Sequence, residues 1–584
     1  MDDIIFIFKN LEKHERNMKR IKKILKYVLI ILAILVIIII FPIFSYKKKV
    51  NNNPLPSYYK KGVYHMHSVF SDGKGTIDDI TTAAASLNLD FAILTDHGEP
   101  NIKSSTSTTY LNNVLLIGGS EFSLHSGHLA AMGYNLPDYI FPPEPQEAIN
   151  EVIHDKGVCF ISHPFDDKIP WTDWDIQEFT GLEVLSSYSS ARRISFFKLI
   201  AFPLQYALNS NYALVSTLQY PEENVKKWDL LNSTPGDQSG RYYGIYALDA
   251  HAKLPITEKF QLNFPSYKSM FEILTVYVKI DKKLKKDPHQ AAATIISSLR
   301  KGNFFNVIEA IAPANGFEAW FMEKSGQRSE MGSVSESSEG KLNILLPFRF
   351  ETDIIIKRNG TEHEQIANNR KEKLELEVKE PGCYIIEAYV SNNKFNKLPW
   401  IMTNPFFIGI KKSSAVPGKR EKIILKQVLV NEKGFFKVEK NSRSEGAVIY
   451  ETSDKDELIT TFTFKLVKES PDVKDFWSAL VARKEFDFSN FTGFVFEARS
   501  DRKRRFWAEF RTGRQGGESW YRHSFLVNKK WNRFHIPFEK FHVIFGENKP
   551  PFLSGIVSLF FSINNANAYP GTEGRIDFKN IGLY

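Results

Sequence analysis

The sequence predicts a multidomain protein: an N-terminal transmembrane helix, an α/β sheet or barrel, and two β-sandwiches after it. Three observations carry this. Residues 27–44 are eighteen in a row without a charge. From 63 to about 250, short continuous apolar runs alternate with helical or loop stretches. Beyond about 315, short strands separated by turn signals take over. A chain of 584 residues is also too long for one core, and its 14% aromatic content leans toward β structure.

The apolar run "YVLIILAILVIIIIFPIF" would span about 27 Å as a helix, enough for a hydrocarbon core. The spanning helix is assigned to 27–46. It exceeds the apolar core of a signal peptide, no A-x-A-like site follows it, and no cysteine follows for lipid attachment. Eight Lys or Arg lie in 9–26 and three at 47–49. The positive-inside bias therefore puts the basic segment 1–26 in the cytoplasm and everything after the helix outside. Residues 47–60, containing "NNNPLPS", are expected to be a tether.

The net charge of +9 is concentrated at this end. Residues 1–49 hold eleven basic and four acidic side chains, so the remainder is near neutral. That argues against a nucleic-acid-binding face. Cys159 and Cys383 each sit in an apolar, strand-like context and read as buried free thiols.

Strands are expected at 63–67, 91–95, 114–118, 128–133, 158–162, 182–187 and 243–248. Most are continuous apolar runs, as in sheets covered on both faces. Residues 76–88 and 144–156 have helical spacing, and 288–311 reads as a closing helix and its cap. The α/β unit is placed at 61–312, a small β-sandwich at 315–410, and a polar linker at 411–422. In the last unit, 423–584, Phe494, Phe496 and Ala498 share one face, as do Phe506, Ala508 and Phe510. A β-sandwich or jelly roll follows.

The polar residues at the strand ends point to chemistry. In "VYHMHSVFSDG", His65 and His67 are i and i+2, on one face of a strand, and Asp72 follows in a Ser-Asp-Gly loop. "LTDHGEP" ends the next strand with Asp96 and His97. "GGSEFS" supplies Glu121, "SGHLAAMGY" His128 and "FISHPF" His163. "YALDAHAK" gives Asp249 and His251, again i and i+2. A lone histidine on an apolar strand is usually structural, but six of the fourteen histidines fall at or beside predicted strand termini. Imidazoles mixed with carboxylates are the donors that divalent metals prefer, and strand ends of barrel-like folds are where chemistry gathers. His128 fits least well, since it starts its strand.

These motifs resemble the PHP (polymerase and histidinol phosphatase) superfamily of metallohydrolases, closest in spacing to stand-alone members of the CehA/McbA type, over roughly 61–312. The resemblance implies a distorted (β/α)7 barrel and two or three divalent metals, commonly zinc, manganese or iron. It implies the ligand and catalytic set His65, His67, Asp72, His97, Glu121, His163, Asp249 and His251, with His128 as a further metal ligand. Asp96 is expected to orient an imidazole, and His125 and His154 fall off the pattern. The stretch 188–242 departs from it.

Such a cluster suits hydrolysis by a metal-activated water. Phosphoester hydrolysis is the first expectation, on a small molecule or a surface polymer, with carbamate or amide hydrolysis as the alternative. Arg192 and Arg193 are either a phosphate clamp or ordinary surface residues. The segment 380–408 resembles the immunoglobulin-like domain that follows such barrels, with Trp400 and Pro405 expected at the junction. The last unit resembles galactose-binding-like jelly rolls of the carbohydrate-binding kind. There Trp507, Trp520 and Tyr521 are candidates to stack on sugar rings, and "RSDRKRR" (499–505) is either an anion-binding patch or a solvated turn. The rival from another class is a non-catalytic, membrane-anchored glycan-binding protein.

Overall fold

The computed structural model describes residues 2–584 apart from 234–239, 256–260, 263, 348–350, 392, 394, 396, 411–424, 431, 455, 469–474, 514–518 and 547–552. The expected linker at 411–422 lies outside the described residues.

Helix α1 runs unbroken over Asp2–Ser45, so the basic segment is helical as well. Its stretch Arg16–Ser45 holds an eighteen-residue window apolar enough to cross a bilayer, with a mean hydropathy of 3.4. The segment after it is fixed rather than loose. Tyr46 donates to the Ala310 carbonyl, and Asn51 donates to Pro313 and Asn315. The last residues of the expected tether, Tyr59 and Lys60, already belong to the first strand.

The α/β unit consists of β1 (Tyr59–Tyr64), α2 (Ile77–Ser86), β2 (Phe91–Leu94), α3 (Ile102–Ser105), β3 (Thr109–Leu111), β4 (Val114–Leu124), β5 (Gly127–Met132), α4 (Pro145–His154), β6 (Val158–Ile161), β7 (Gly181–Ser186), α5 (Ser187–Arg192), α6 (Phe196–Leu208), α7 (Ser210–Val215), α8 (Glu222–Asn232), β8 (Tyr243–Ala247), the short ribbon β9 (Leu254–Pro255) and β10 (Gln261–Leu262), α9 (Tyr267–Phe271), β11 (Leu274–Lys279), α10 (Pro288–Arg300) and β12 (Phe304–Ile308). Seven strands pair in the order β1-β2-β4-β5-β6-β7-β8. The two ends of this series meet: Leu248 donates to Tyr64, Ala250 to His65, and His67 back to Ala250. That seam joins the strand C-termini into one rim.

Strand and helix do not alternate strictly. A hairpin joins β4 to β5, and among the described residues 162–180, between β6 and β7, form a helix-free loop. Strand β5 pairs antiparallel with both neighbours, while β1-β2-β4 and β6-β7-β8 are parallel sets. The closing segment 288–311 is helical only as far as Arg300. Phe304–Ile308 is a strand, as its β-branched and aromatic content favours.

From β1 the sheet continues through β11 and β12 to Ile401–Thr403, which links it to the strands of the middle unit. One apolar core accordingly runs from Ile43 to Ile408. Trp400 is fully buried in it and donates to the Ala312 carbonyl. The C-terminal unit is two six-stranded antiparallel sheets enclosing a separate, Phe-rich core.

Candidate metal centre

Each donor is delivered by a strand terminus. His65 and His67 follow β1, Asp96 and His97 follow β2, Glu121 lies in the long β4, His163 follows β6, and Asp249 and His251 follow β8. His128 reaches the same rim because β5 is antiparallel, so that its start lies beside the other strands' ends. The Ser-Asp-Gly turn folds Asp72 back over β1. A Cβ at Gly73 would lie 2.1 Å from the His67 carbonyl oxygen, so only glycine fits there.

All nine predicted donors converge. Glu121 lies at the centre: one carboxylate oxygen is 3.4 Å from nitrogens of His65, His128 and His163, and the other is 3.2 Å from His97 and 3.4 Å from His67. Asp249 is 3.3 Å from His67, 3.5 Å from His65 and 3.6 Å from His251. Asp72 is 3.2 Å from His251 and 3.7 Å from His67. Three overlapping groups have ligand atoms within 4.8 Å of one another: His67–Asp72–His97–His251, His65–His67–Glu121 and His97–Glu121–His128.

The cluster is crowded yet unsatisfied. Asp72 Oδ1, His97 Nδ1, Glu121 Oε1, His128 Nδ1 and His163 Nδ1 are buried atoms without a hydrogen-bond partner. Orphaned polar atoms at this density are costly unless something else engages them. His65, His163 and Asp249 also hold left-handed backbone (φ 65°, 30° and 52°), a strain that persists where the surroundings dictate it. The donor set and its open valences fit divalent cations.

Electrostatics agree. Burial opposes the charged form of His65, but Glu183, Glu121 and Asp249 outweigh it and raise its pKa well above normal. Against the same desolvation, Glu121 with Asp249 and Glu183 raises His163 to about 9. Burial, with the His251 charge, holds His67 down at about 4. Glu121 and Asp249 resist desolvation and stay well below the carboxylate range beside His65 and its neighbours.

Glu183 joins the cluster, and sequence reasoning missed it. It is fully buried, and its carboxylate lies 2.5 Å from His65 Nδ1 and accepts the His163 backbone N–H. A carboxylate inside the apolar run "LEVL" was the available signal. Asp96 differs from expectation. It accepts from the Ser68 amide and from the Ser68 and Ser71 hydroxyls, so it holds the loop rather than an imidazole. His154 is exposed and bound to Asp155, away from the site.

A cavity of about 460 Å³ adjoins the cluster, with His163, Asp166, Ser189, Arg193 and Tyr220 in its wall. Arg192 is tied to buried Asp166, and Arg193 to Asp167, Glu223 and the Phe165 carbonyl.

Two expectations for the C-terminal unit are corrected. Trp507 and Tyr521 are buried, so neither offers a face to a sugar; packing of the second sheet against its surroundings consumed them. Trp520 is half-buried under the Arg511 guanidinium, 3.9 Å from its ring centre. The basic turn is neither a free patch nor simply solvated. Arg504 is buried against Asp501, and Arg505 is buried against Glu147 and Glu151 of α4.

No family model matches the chain, and no curated protein matches it. Among solved structures, it is similar to a two-domain protein from Bacteroides vulgatus containing a predicted PHP-like metal-dependent phosphoesterase, with 16% identity over 62% of this chain and 99% of that one, at a TM-score of 0.29. It is also similar to the family 11 carbohydrate-binding module of a Clostridium thermocellum cellulosomal cellulase, with 14% identity over 27% of this chain and 92% of that one, at a TM-score of 0.22. The family 30 module from a C. thermocellum cellulosomal cellulase shares 14% identity over 26% and 91%, at a TM-score of 0.20.

Proposed function

We propose that the chain is a membrane-anchored, metal-dependent hydrolase of the PHP type, acting on phosphoesters. One observation carries this: six imidazoles and three carboxylates meet on one rim, with five of their atoms left without hydrogen bonds. Bound there, divalent cations supply Lewis acidity to a phosphoryl oxygen and bring the pKa of a coordinated water toward 7.

The protein's own groups do the rest. Glu183 faces His65 Nδ1 and so presents Nε2 to the centre. Asp96 and Ser71 keep the Asp72 loop closed over β1. Arg193, on the cavity wall, and Lys253, 3.7 Å from Asp72, are cations that can meet a substrate's anionic oxygens. The apolar stretch of α1 anchors the barrel with 1–26 in the cytoplasm. In this reading the C-terminal unit meets a surface glycan, and of the three rings considered only Trp520 is accessible enough to take part.

The test is turnover of a phosphoester panel by the full chain in detergent, after chelation and after adding back zinc, manganese or iron. Metal-dependent turnover that His65→Ala abolishes is expected. Turnover indifferent to both treatments overturns the assignment.

A further inference from the structure

Helix α6 exposes an apolar face of unusual size. Phe196 is 70% exposed, Phe197 82%, Leu199 57%, Ile200 60% and Leu204 41%. On a protein surrounded by water this would be an aggregation liability. The helix is packed against α1, and Gln205 donates to the Ile39 carbonyl. Ile39 lies six residues before the end of α1 at Ser45, which is about 9 Å along the helix. Interfacial helices bury their apolar face by roughly 5–10 Å, so the depth matches.

The same segment borders the metal centre. Helix α5, three residues upstream of α6, places the Tyr188 ring 5.4 Å from that of His251, and Ser189 and Arg193 line the cavity. We propose that α6 lies in the outer leaflet beside the spanning helix and holds the cavity at the bilayer surface, so that the substrate is the phosphoester headgroup of a membrane lipid. The substrate part rests on the hydrolase reading; the membrane contact does not.

Cys159 and Cys383 are both buried, so a nitroxide attached to full-length Phe197→Cys in phosphatidylcholine–phosphatidylglycerol vesicles reports that position alone. Leu230→Cys on α8, 61% exposed in the native chain, is the reference. Position 197 is expected to meet dissolved oxygen more than an aqueous nickel chelate, and position 230 the reverse. Equal nickel access at the two positions, or dipolar broadening between labels on two copies, overturns the membrane contact. For the substrate, Phe196→Asp with Phe197→Asp is expected to lower hydrolysis of phosphatidylglycerol phosphate in the vesicles by about tenfold or more, given the burial lost by two rings. Hydrolysis of p-nitrophenyl phosphate should not change. Equal effects on both substrates overturn the lipid assignment. A wild-type chain inactive on both defeats the hydrolase reading and leaves the labelling result standing.

A different observation carries a second site. His125, which follows β4, Glu144 at the start of α4 and His542 of the C-terminal unit place ligand atoms within 4.8 Å of one another. Glu144 is only 5% exposed, and its Oε2 has no hydrogen-bond partner. Its other oxygen takes the Ser524 amide. As the residue preceding α4 it makes no capping bond, and the imidazole of His523, 4.0 Å away, faces Oε1 rather than the unpartnered Oε2. Two imidazoles and a carboxylate are a donor set for zinc. We infer that these three residues bind a divalent cation that joins the barrel to the C-terminal unit, apart from the rim cluster.

The full-length His542→Ala chain should hold about one zinc fewer than wild type after dialysis, with metal-dependent turnover retained. His542→Cys keeps a ligand and, with cobalt, should show thiolate-to-metal charge transfer in the near ultraviolet. Unchanged zinc content in His542→Ala, or no such band from a His542→Cys chain whose rim cluster is loaded, overturns the site.

Discussion

Two groups of buried charge border the same α/β unit and are finished differently. Where α4 meets the C-terminal unit, each of the three guanidinium nitrogens of Arg505 has an acceptor: Glu151 for Nε and Nη2, Glu147 and Ser524 for Nη1. At the rim, His65, His67, Glu121 and Asp249 are as deeply buried, yet five atoms of the cluster have no hydrogen bond and three residues hold strained backbone. A closed network holds two units together. An open one, maintained against the cost of orphaned polar groups, is shaped for an occupant.

The contrast can be broken from either side. The largest effect is expected at the rim: His65→Ala should cut metal-dependent turnover by about a thousandfold, since even residues that only support metal ligands cost roughly 10–100-fold. Far-ultraviolet circular dichroism should not change. At the closed network the loss should appear as stability. Arg505→Ala leaves buried Glu151 with only the Tyr139 hydroxyl and the more distant Lys503 facing it, and should cost about 3 kcal/mol. Hydrogen exchange across Pro145–His154 and Arg504–Thr512 measures it, while p-nitrophenyl phosphate turnover is retained.

Glu183→Gln sharpens the comparison from within the rim. It removes the charge facing His65 Nδ1 but keeps the shape, so metal affinity should fall by about 10–100-fold, read by competition with a chromogenic chelator.

The smallest effect is one of pH. In the metal-free chain His163 is raised to about 9, and His65 and His251 shift the same way. A raised folded-state pKa stabilises fully below the ordinary histidine value and ceases to as pH rises through the folded value. Metal-free protein should therefore lose melting temperature between about pH 6.5 and 9, a decline that metal loading should remove. His67, held near 4, weakens the fold only on the acid side of that window. Scanning calorimetry of both forms at matched pH checks this.

Much of the rim was legible in the sequence because its signal is local. The i, i+2 spacing of His65 with His67 and of Asp249 with His251, beside apolar strands, marks each as a pair, although all four lie just past their strands and His65 and Asp249 hold left-handed backbone. Glu183 was not legible in the same way. One carboxylate in an apolar strand looks like any outward residue until the burial of all six residues of β7 shows that neither face is exposed. His128 seemed misplaced only while its strand was taken as parallel. Arg505 and its basic neighbours read as a solvated turn because their partners, Glu147 and Glu151, lie more than three hundred residues earlier.

By itself the sequence determined the apolar stretch of α1, the approximate positions of the seven strands that carry the rim and the residue types at their ends. Periodicity and side-chain chemistry act over a few residues and need no partner to be recognised. Strand direction, the seam between β1 and β8, the continuation of the sheet into the middle unit and the charged contact with the C-terminal unit were decided only in three dimensions. They depend on which distant segments bury one another, and burial energy belongs to the assembled surfaces rather than to any stretch of chain.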